Sequence, residues 1–180
     1  PFIVLSERLP FILAAGCSVV NKPSEYASGT SLMLCDILKK SGLPNGVYNV
    51  LTGYGNKIGK TLVEHKDISM ISFTGSTENG RSVMASASKN LAKVSLELGG
   101  KSPIIVFSDA DLEKAADAVI AGFTDNAGQC CIATSRLIVQ KSIASDFKKL
   151  IALKLKNLRF KQSLATNCLL YTSDAADDWS

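Results

Sequence analysis

Apolar residues recur at helical spacing from Ile3 to Ala15 and stop at Gly16, a residue suited to the position just past a helix. Pro10 lies inside that run and is expected to kink or delay the helix. Ser18-Val19-Val20 reads as a short buried strand ending at Asn21-Lys22-Pro23. A helix from about Ser28 to Lys40 follows, closed by Ser41-Gly42, and Leu43-Pro44-Asn45-Gly46 is turn chemistry. Val47 to Leu51 reads as a second strand, Thr52 to Gly55 as a loop, and Ile58 to His65 as a helix. Ser69 to Phe73 is a third strand. Gly75-Ser76-Thr77 opens a helix to about Ser88, and Val94 to Leu98 is a fourth strand. After Gly99-Gly100 the pattern restarts, with a strand at Pro103 to Phe107 and a helix from Asp111 to Asp125 capped by Ser108 or Asp109. A small polar loop comes next, then a strand from Arg136 to Val139 and a helix from about Ile143 to Leu158. Strands alternating with helices at this pitch predict βαβ units: an α/β chain whose parallel sheet is flanked by helices, with a domain boundary at Gly99-Gly100.

Composition narrows the partners. The chain has 180 residues, 46% of them hydrophobic and 20% charged, a balance that predicts a buried core. A net charge of +4 is too mild to suggest nucleic acid. The basic stretch from Lys148 to Lys161 reads as the solvated face of an amphipathic helix. Five cysteines form no CxxC pair, and His65 is the only histidine, so no metal cluster is expected. The odd thiol count suggests a reducing compartment, hence the cytoplasm. Pro1 to Val20 is apolar, but Glu7, Arg8 and Pro10 interrupt it, so neither a signal peptide nor a membrane span of ~20 apolar residues is expected. With no Met at position 1, the chain is expected to begin inside a longer one. The tail differs in kind. Cys168-Leu169-Leu170-Tyr171-Thr172-Ser173-Asp174-Ala175-Ala176-Asp177-Asp178 resembles the conceptual translation of a transposase sequencing adapter. Residues 167–180 are therefore expected to be artefactual or disordered, and their aspartates are not read as a site.

Four stretches carry candidate chemistry. Asn126-Ala127-Gly128-Gln129-Cys130-Cys131 delivers two adjacent thiols that cannot readily bridge each other. Either they are small buried hydrophobes, or one is an exposed nucleophile on a loop that Gly128 allows close to a bound group. Glu97 sits in Leu96-Glu97-Leu98-Gly99-Gly100 among apolar neighbours. Burial there would raise its pKa, as a general base requires; the alternative is a rim carboxylate paired with Lys101. Phe73-Thr74-Gly75-Ser76-Thr77 is a strand–glycine–helix junction suited to a pyrophosphate, or an ordinary helix start capped by Ser76 or Thr77. Lys22 and Glu25, at the end of the first strand, could clamp ribose hydroxyls or form a surface ion pair.

Together these four stretches resemble the aldehyde dehydrogenase superfamily over about residues 1–162. The markers are Lys22-Pro23-Ser24-Glu25, Phe73-Thr74-Gly75-Ser76-Thr77-Glu78, Leu96-Glu97-Leu98-Gly99-Gly100-Lys101, and Gly128-Gln129-Cys130-Cys131-Ile132-Ala133 with Arg136. The spacing from Glu97 to Cys131 also fits the family. The resemblance implies a Rossmann-like nucleotide-binding domain over 1–98 and the first part of an α/β catalytic domain over 99–166. It implies Cys131 as nucleophile, Cys130 as its packed neighbour and Glu97 as general base. Lys22 and Glu25 would hold the adenine-side ribose of NAD, with Gly55 near the adenine. Gly75 and Ser76 would lie near the pyrophosphate, and Leu98 and Gly99 by the nicotinamide. The implied reaction is attack of the Cys131 thiolate on an aldehyde, hydride transfer from the thiohemiacetal, and hydrolysis of the thioester by a water that Glu97 activates. Glu25 would favour NAD by repelling a 2′-phosphate; Lys22 tempers that preference, leaving NADP open.

Two residues depart from the pattern: Asn21 and Asn79 stand where apolar side chains are usual, which predicts some loss of stability. The family pattern also places an oxyanion-hole Asn just before Pro1, and losing one such donor typically costs ~10²–10³ in rate. The chain is thus expected to be roughly the middle third of an enzyme whose full-length form is a homo-oligomer acting on a small aldehyde. Alternatives are a non-catalytic nucleotide-binding fragment, or a thiol acyltransferase or esterase using Cys131 without hydride transfer.

Overall fold

A computed structural model describes residues 2–158; the adapter-like tail lies outside them. The chain separates into two compact units, one built from residues 2–73 with 81–95 and the other from 74–80 with 96–158.

In the first unit, α1 spans Phe2–Ala14 and runs through Pro10 without a break. Pro10 is exposed and neither delays nor ends the helix, which begins at Phe2. Gly16 closes the helix at φ 78°. Its N–H bonds Leu13 O and that of Cys17 bonds Ile12 O, so two end carbonyls are satisfied. β1 (Val19–Asn21) and β2 (Tyr48–Val50) pair in parallel, Val19 with Tyr48 and Asn21 with Val50. Between them α2 (Ser28–Lys40) ends on Lys39 and Lys40, cations suited to the negative end of a helix.

The Asn21 departure has a local explanation. Its side-chain amide donates to the buried Tyr48 hydroxyl at 2.9 Å, so the polar group in the strand is partnered rather than costly. Burial pushes the Tyr48 phenol above its usual pKa, against the opposing pull of the Asn21 bond. Asn79 is exposed, so its polarity carries no burial cost either.

The helix expected from Ile58 to His65 begins earlier and differently, as a wide π-turn over Gly55–Gly59 that passes into α3 (Lys60–Val63). β3 (Met70–Gly75) pairs with β4 (Lys93–Leu98), and α4 spans Thr77–Ala87 between them. Just past α3, Glu64 accepts from Lys89 at 2.8 Å and from Ser86 at 3.3 Å, while Asn90 donates to its backbone carbonyl at 2.6 Å. The Lys89 hydrogen bond holds the Glu64 carboxyl below its usual pKa.

In the second unit, β5 (Pro103–Val106) and β6 (Arg136–Val139) pair in parallel over four residues. α5 (Leu112–Thr124) and α6 (Ala144–Leu155) pack together beside them. The core is Val106, Ala116, Val119 and Phe147, with Phe147 fully enclosed. The cap of α5 is Asp111, whose carboxylate accepts the Lys114 N–H at 3.2 Å; Ser108 and Asp109 lie one turn too early. Of the basic stretch expected from Lys148 to Lys161, Lys148, Lys149 and Lys156 are exposed and Lys154 is half-buried, while residues 159–161 lie outside the described residues. Lys149 pairs with Asp146, and Lys154 bridges Glu113 and Asp117.

Among the described residues, strand pairing comes as three two-stranded ladders. β1 and β2 have only three residues each, which limits the pairing they can extend. Among the described residues no helix is long and apolar enough to cross a membrane.

Candidate functional site

The two-thiol loop starts where α5 is forced to stop. Asn126, Ala127 and Gly128 are all left-handed, at φ 50°, 60° and 82°. A run of left-handed residues cannot continue a right-handed helix, so the chain turns away after Thr124. Gly128 adopts this freely and Asn126 tolerates it, but Ala127 bears a cost of ~1 kcal/mol. Strain of this kind persists only where surrounding contacts hold it. Here the Asn126 amide donates to Gln129 O at 2.9 Å and the Gln129 N–H donates to Asn126 O at 3.1 Å.

That turn presents Cys131 exposed and Cys130 half-buried, both as free thiols. Of the two readings of the pair, burial of both is excluded. Downstream, the Ala133 N–H bonds Cys130 O at 3.0 Å, and the Thr134 N–H reaches back to Gly122 O in α5 at 3.0 Å.

The segment after Glu97 is tied to the same loop. A Cβ on Gly100 would stand 3.2 Å from the Cys131 carbonyl oxygen, so glycine permits the close approach. Arg136 Nε–H donates to Lys101 O at 2.7 Å, and the Arg136 N–H bonds Ser102 O at 3.3 Å. Leu98 is seated from another side. A Cβ on buried Gly80 would come within 2.5 and 2.8 Å of its two methyl carbons, so the first turn of α4 lies against Leu98.

Cys131, Glu97, Leu98, Gly99, Gly75 and Ser76 thus belong to one compact unit. One expectation is corrected: Glu97 is exposed, not enclosed among apolar neighbours. Along β4, Val94, Ser95, Leu96 and Leu98 are half-buried, while Lys93 and Glu97 are exposed.

At the Gly75-Ser76 junction the capped-helix reading holds. The Ser76 hydroxyl accepts the Asn79 N–H at 3.2 Å, and its carbonyl accepts the Gly80 N–H at 2.9 Å. A capped start and an anion site are compatible, because the cap occupies one amide of the first turn.

Lys22 and Glu25 lie in the first unit with Gly55. Their charged groups are 3.8 Å apart, a long contact. Lys22 is held chiefly by carbonyls, donating to Pro23 O at 2.7 Å and Gly53 O at 3.1 Å. Its stem also lies 3.7 Å from where a Cβ on Gly59 would be. Lys22 is thereby fixed across the loop after β2, with Glu25 beside it. Gly55 is exposed with open space around it. Gly53 is the demanding position: its φ is 149°, and a Cβ there would overlap Ile58. Sequence reasoning passed over Gly53, Gly80, Gly100 and Gly122. Doublets such as Gly53-Tyr54-Gly55 and Gly99-Gly100 were the available signal, but only coordinates say which glycine touches what.

Comparison with known proteins identifies the family. The model of the aldehyde dehydrogenase family matches residues 1–172. The chain is 45% identical over 170 residues to aminoaldehyde dehydrogenase 1, peroxisomal, of Pisum sativum, covering 94% of this chain and 34% of that protein. Identity to the chloroplastic betaine aldehyde dehydrogenase of Amaranthus hypochondriacus is also 45%, with the same coverage. Among solved structures, an NAD-dependent aldehyde dehydrogenase from Sinorhizobium meliloti superimposes with a TM-score of 0.92 at 42% identity, over 99% of this chain and 36% of that one. A betaine aldehyde dehydrogenase from Staphylococcus aureus in complex with NAD+ gives 0.89 at 35%, over 94% and 34%. The chain therefore spans about a third of the length of the curated relatives it matches. Its motifs, the α/β elements that carry them and these likenesses converge: the chain belongs to the aldehyde dehydrogenase family.

Proposed function

We propose that this chain is the segment of a longer NAD(P)-dependent aldehyde dehydrogenase that contributes the nucleophile, its general base and part of the cofactor site, for oxidation of an aldehyde to a carboxylic acid. The observation that carries the reading is the exposed Cys131 on a strained turn, clasped to the segment that follows Glu97 through Gly100 and Arg136. Cys131 Sγ adds to the carbonyl carbon of the aldehyde, and Glu97 later takes a proton from the water that attacks the acyl-thioester. A nicotinamide cofactor, when bound, would supply the hydride acceptor between those two events.

Each unit carries residues suited to one part of a dinucleotide. Lys22 is held in place by two carbonyls with Glu25 next to it, suited to a ribose, and Gly55 lies nearby in sequence for the adenine end. The capped start of α4 at Gly75 and Ser76 suits a phosphate, and Leu98 and Gly99 follow the base on β4. Glu25 favours NAD over NADP by charge. The relatives named above are called aminoaldehyde and betaine aldehyde dehydrogenases, which makes a small aldehyde bearing an amino or ammonium group the substrate class to try first. Their names place them in the peroxisome and the chloroplast, so a reducing interior, whether cytoplasm or organelle, is the proposed setting. The full-length enzyme is proposed to be a homo-oligomer, with residues 1–98 in its nucleotide-binding domain and 99–166 in its catalytic domain.

The test is NADH formation by the full-length enzyme. Cys131→Ala should abolish turnover, and Glu97→Gln should leave the first burst of NADH while slowing the steady rate. Full turnover in Cys131→Ala would sink the assignment, and a higher kcat/KM with NADP than with NAD would overturn the cofactor preference.

A further inference from the structure

We propose that Gly122 and Thr134 are positioning residues for Cys131, forming a steric latch between the last turn of α5 and the nucleophile loop. The inference rests on the reading of Cys131 as nucleophile. In a continuing helix the Gly122 carbonyl would accept from the residue four positions on. That residue is Asn126, which is left-handed and has left the helix. The orphaned carbonyl takes the Thr134 N–H instead, at 3.0 Å.

The bond forms with no side chain at residue 122 to displace Thr134. A Cβ there would overlap the Thr134 Oγ1 and would stand 3.4 Å from its Cγ2 and 3.5 Å from its Cβ. Glycine near the end of a helix costs ~1 kcal/mol relative to alanine, so helix propensity does not account for it. The Thr134 hydroxyl is buried and makes no hydrogen bond with the protein. Threonine is thus present for its shape, filling the gap that glycine leaves. Thr134 lies three positions after Cys131, and Gly100 closes on the Cys131 carbonyl from another direction. Pinned from both sides, the loop has little room to move the thiol, and displacement of a reacting atom by ~1 Å can cost ~10²-fold in rate.

The experiment is a double-mutant cycle in the full-length enzyme, comparing wild type, Gly122→Ala, Thr134→Ala and the double variant. Rapid mixing reads the rate of the first NADH burst; NAD affinity and thermal midpoint are measured alongside. Gly122→Ala should slow the burst by ~10-fold to ~100-fold with NAD affinity unchanged. Thr134→Ala removes both Oγ1 and Cγ2, leaving only the 3.5 Å contact, so the double variant should recover the rate of Thr134→Ala alone. A purely structural role would move the thermal midpoint and leave the burst rate of the folded enzyme unchanged, which would overturn the latch. Loss of rate that the second substitution does not recover would also overturn it. If Gly122→Ala does not fold, the double variant decides: folded with a burst like that of Thr134→Ala, it supports the latch, and folded without a burst, it overturns it. A wild-type enzyme lacking any Cys131-dependent burst overturns the nucleophile reading and the latch together; a normal wild-type burst that persists in Gly122→Ala overturns the latch alone.

Discussion

Asn21 shows how one polar residue can be read wrongly from its position in a strand. The pattern marks it as a misfit, yet its amide donates to Tyr48 Oη across the β1–β2 pair. Removing one partner from a half-buried pair leaves the other unsatisfied, which costs ~1–3 kcal/mol, whereas replacing both with apolar groups can be nearly neutral. Tyr48→Phe is therefore expected to destabilise the chain by ~1–2 kcal/mol in urea denaturation, and Asn21→Val combined with Tyr48→Phe to regain most of it. Additive losses in the double variant would show that the two side chains do not act as a pair. Glu97 is the opposite lesson. Its identity is visible in the motif, but its exposure is not. Alternation along β4 says that Glu97 faces away from Leu96 and Leu98; it does not say what covers that face.

Among the elements, boundaries moved by one to three residues where hydrogen bonding, rather than hydrophobic period, sets the end. Asp111 caps α5 because its carboxylate reaches the Lys114 amide, a geometric fact that Ser108 and Asp109 match only in residue type. The loop after β2 was read through Gly55, but the structure puts the steric demand on Gly53. Gly53→Ala is expected to destabilise by ~1–3 kcal/mol, since the new methyl meets Ile58 at a φ that L-residues rarely adopt. Gly55→Ala, in open space, should stay within ~0.5 kcal/mol of wild type. Equal thermal midpoints for the two variants would contradict this contrast. The same distinction runs through the site: a glycine's presence is legible in sequence, its necessity only in the atoms around it.

For the whole molecule, stability has a pH dependence that follows from Glu64. Its carboxyl is held below the usual value, chiefly by the Lys89 hydrogen bond. A depressed carboxyl stabilises the fold above the pKa of the unfolded chain and loses that contribution as pH falls through the lower folded value. Glu64→Gln should therefore flatten the acid side of the stability curve and leave the region above pH ~7 without a new slope, as read by chemical denaturation across pH. An acid limb as steep as wild type would remove Glu64 from the account.

What the sequence by itself determined was the α/β alternation, the order of the elements and the four motifs. Apolar period and local turn chemistry are written residue by residue, and Cys131, Glu97, Lys22 and Glu25 stand out by type and spacing. The tertiary structure alone decided which thiol is exposed, which carbonyls hold Lys22, that Glu97 is exposed, and that a Cβ at Gly122 would meet the Thr134 side chain. Each of these depends on atoms brought together from distant parts of the chain, and a one-dimensional pattern carries the period of a side chain but not the identity of its neighbour.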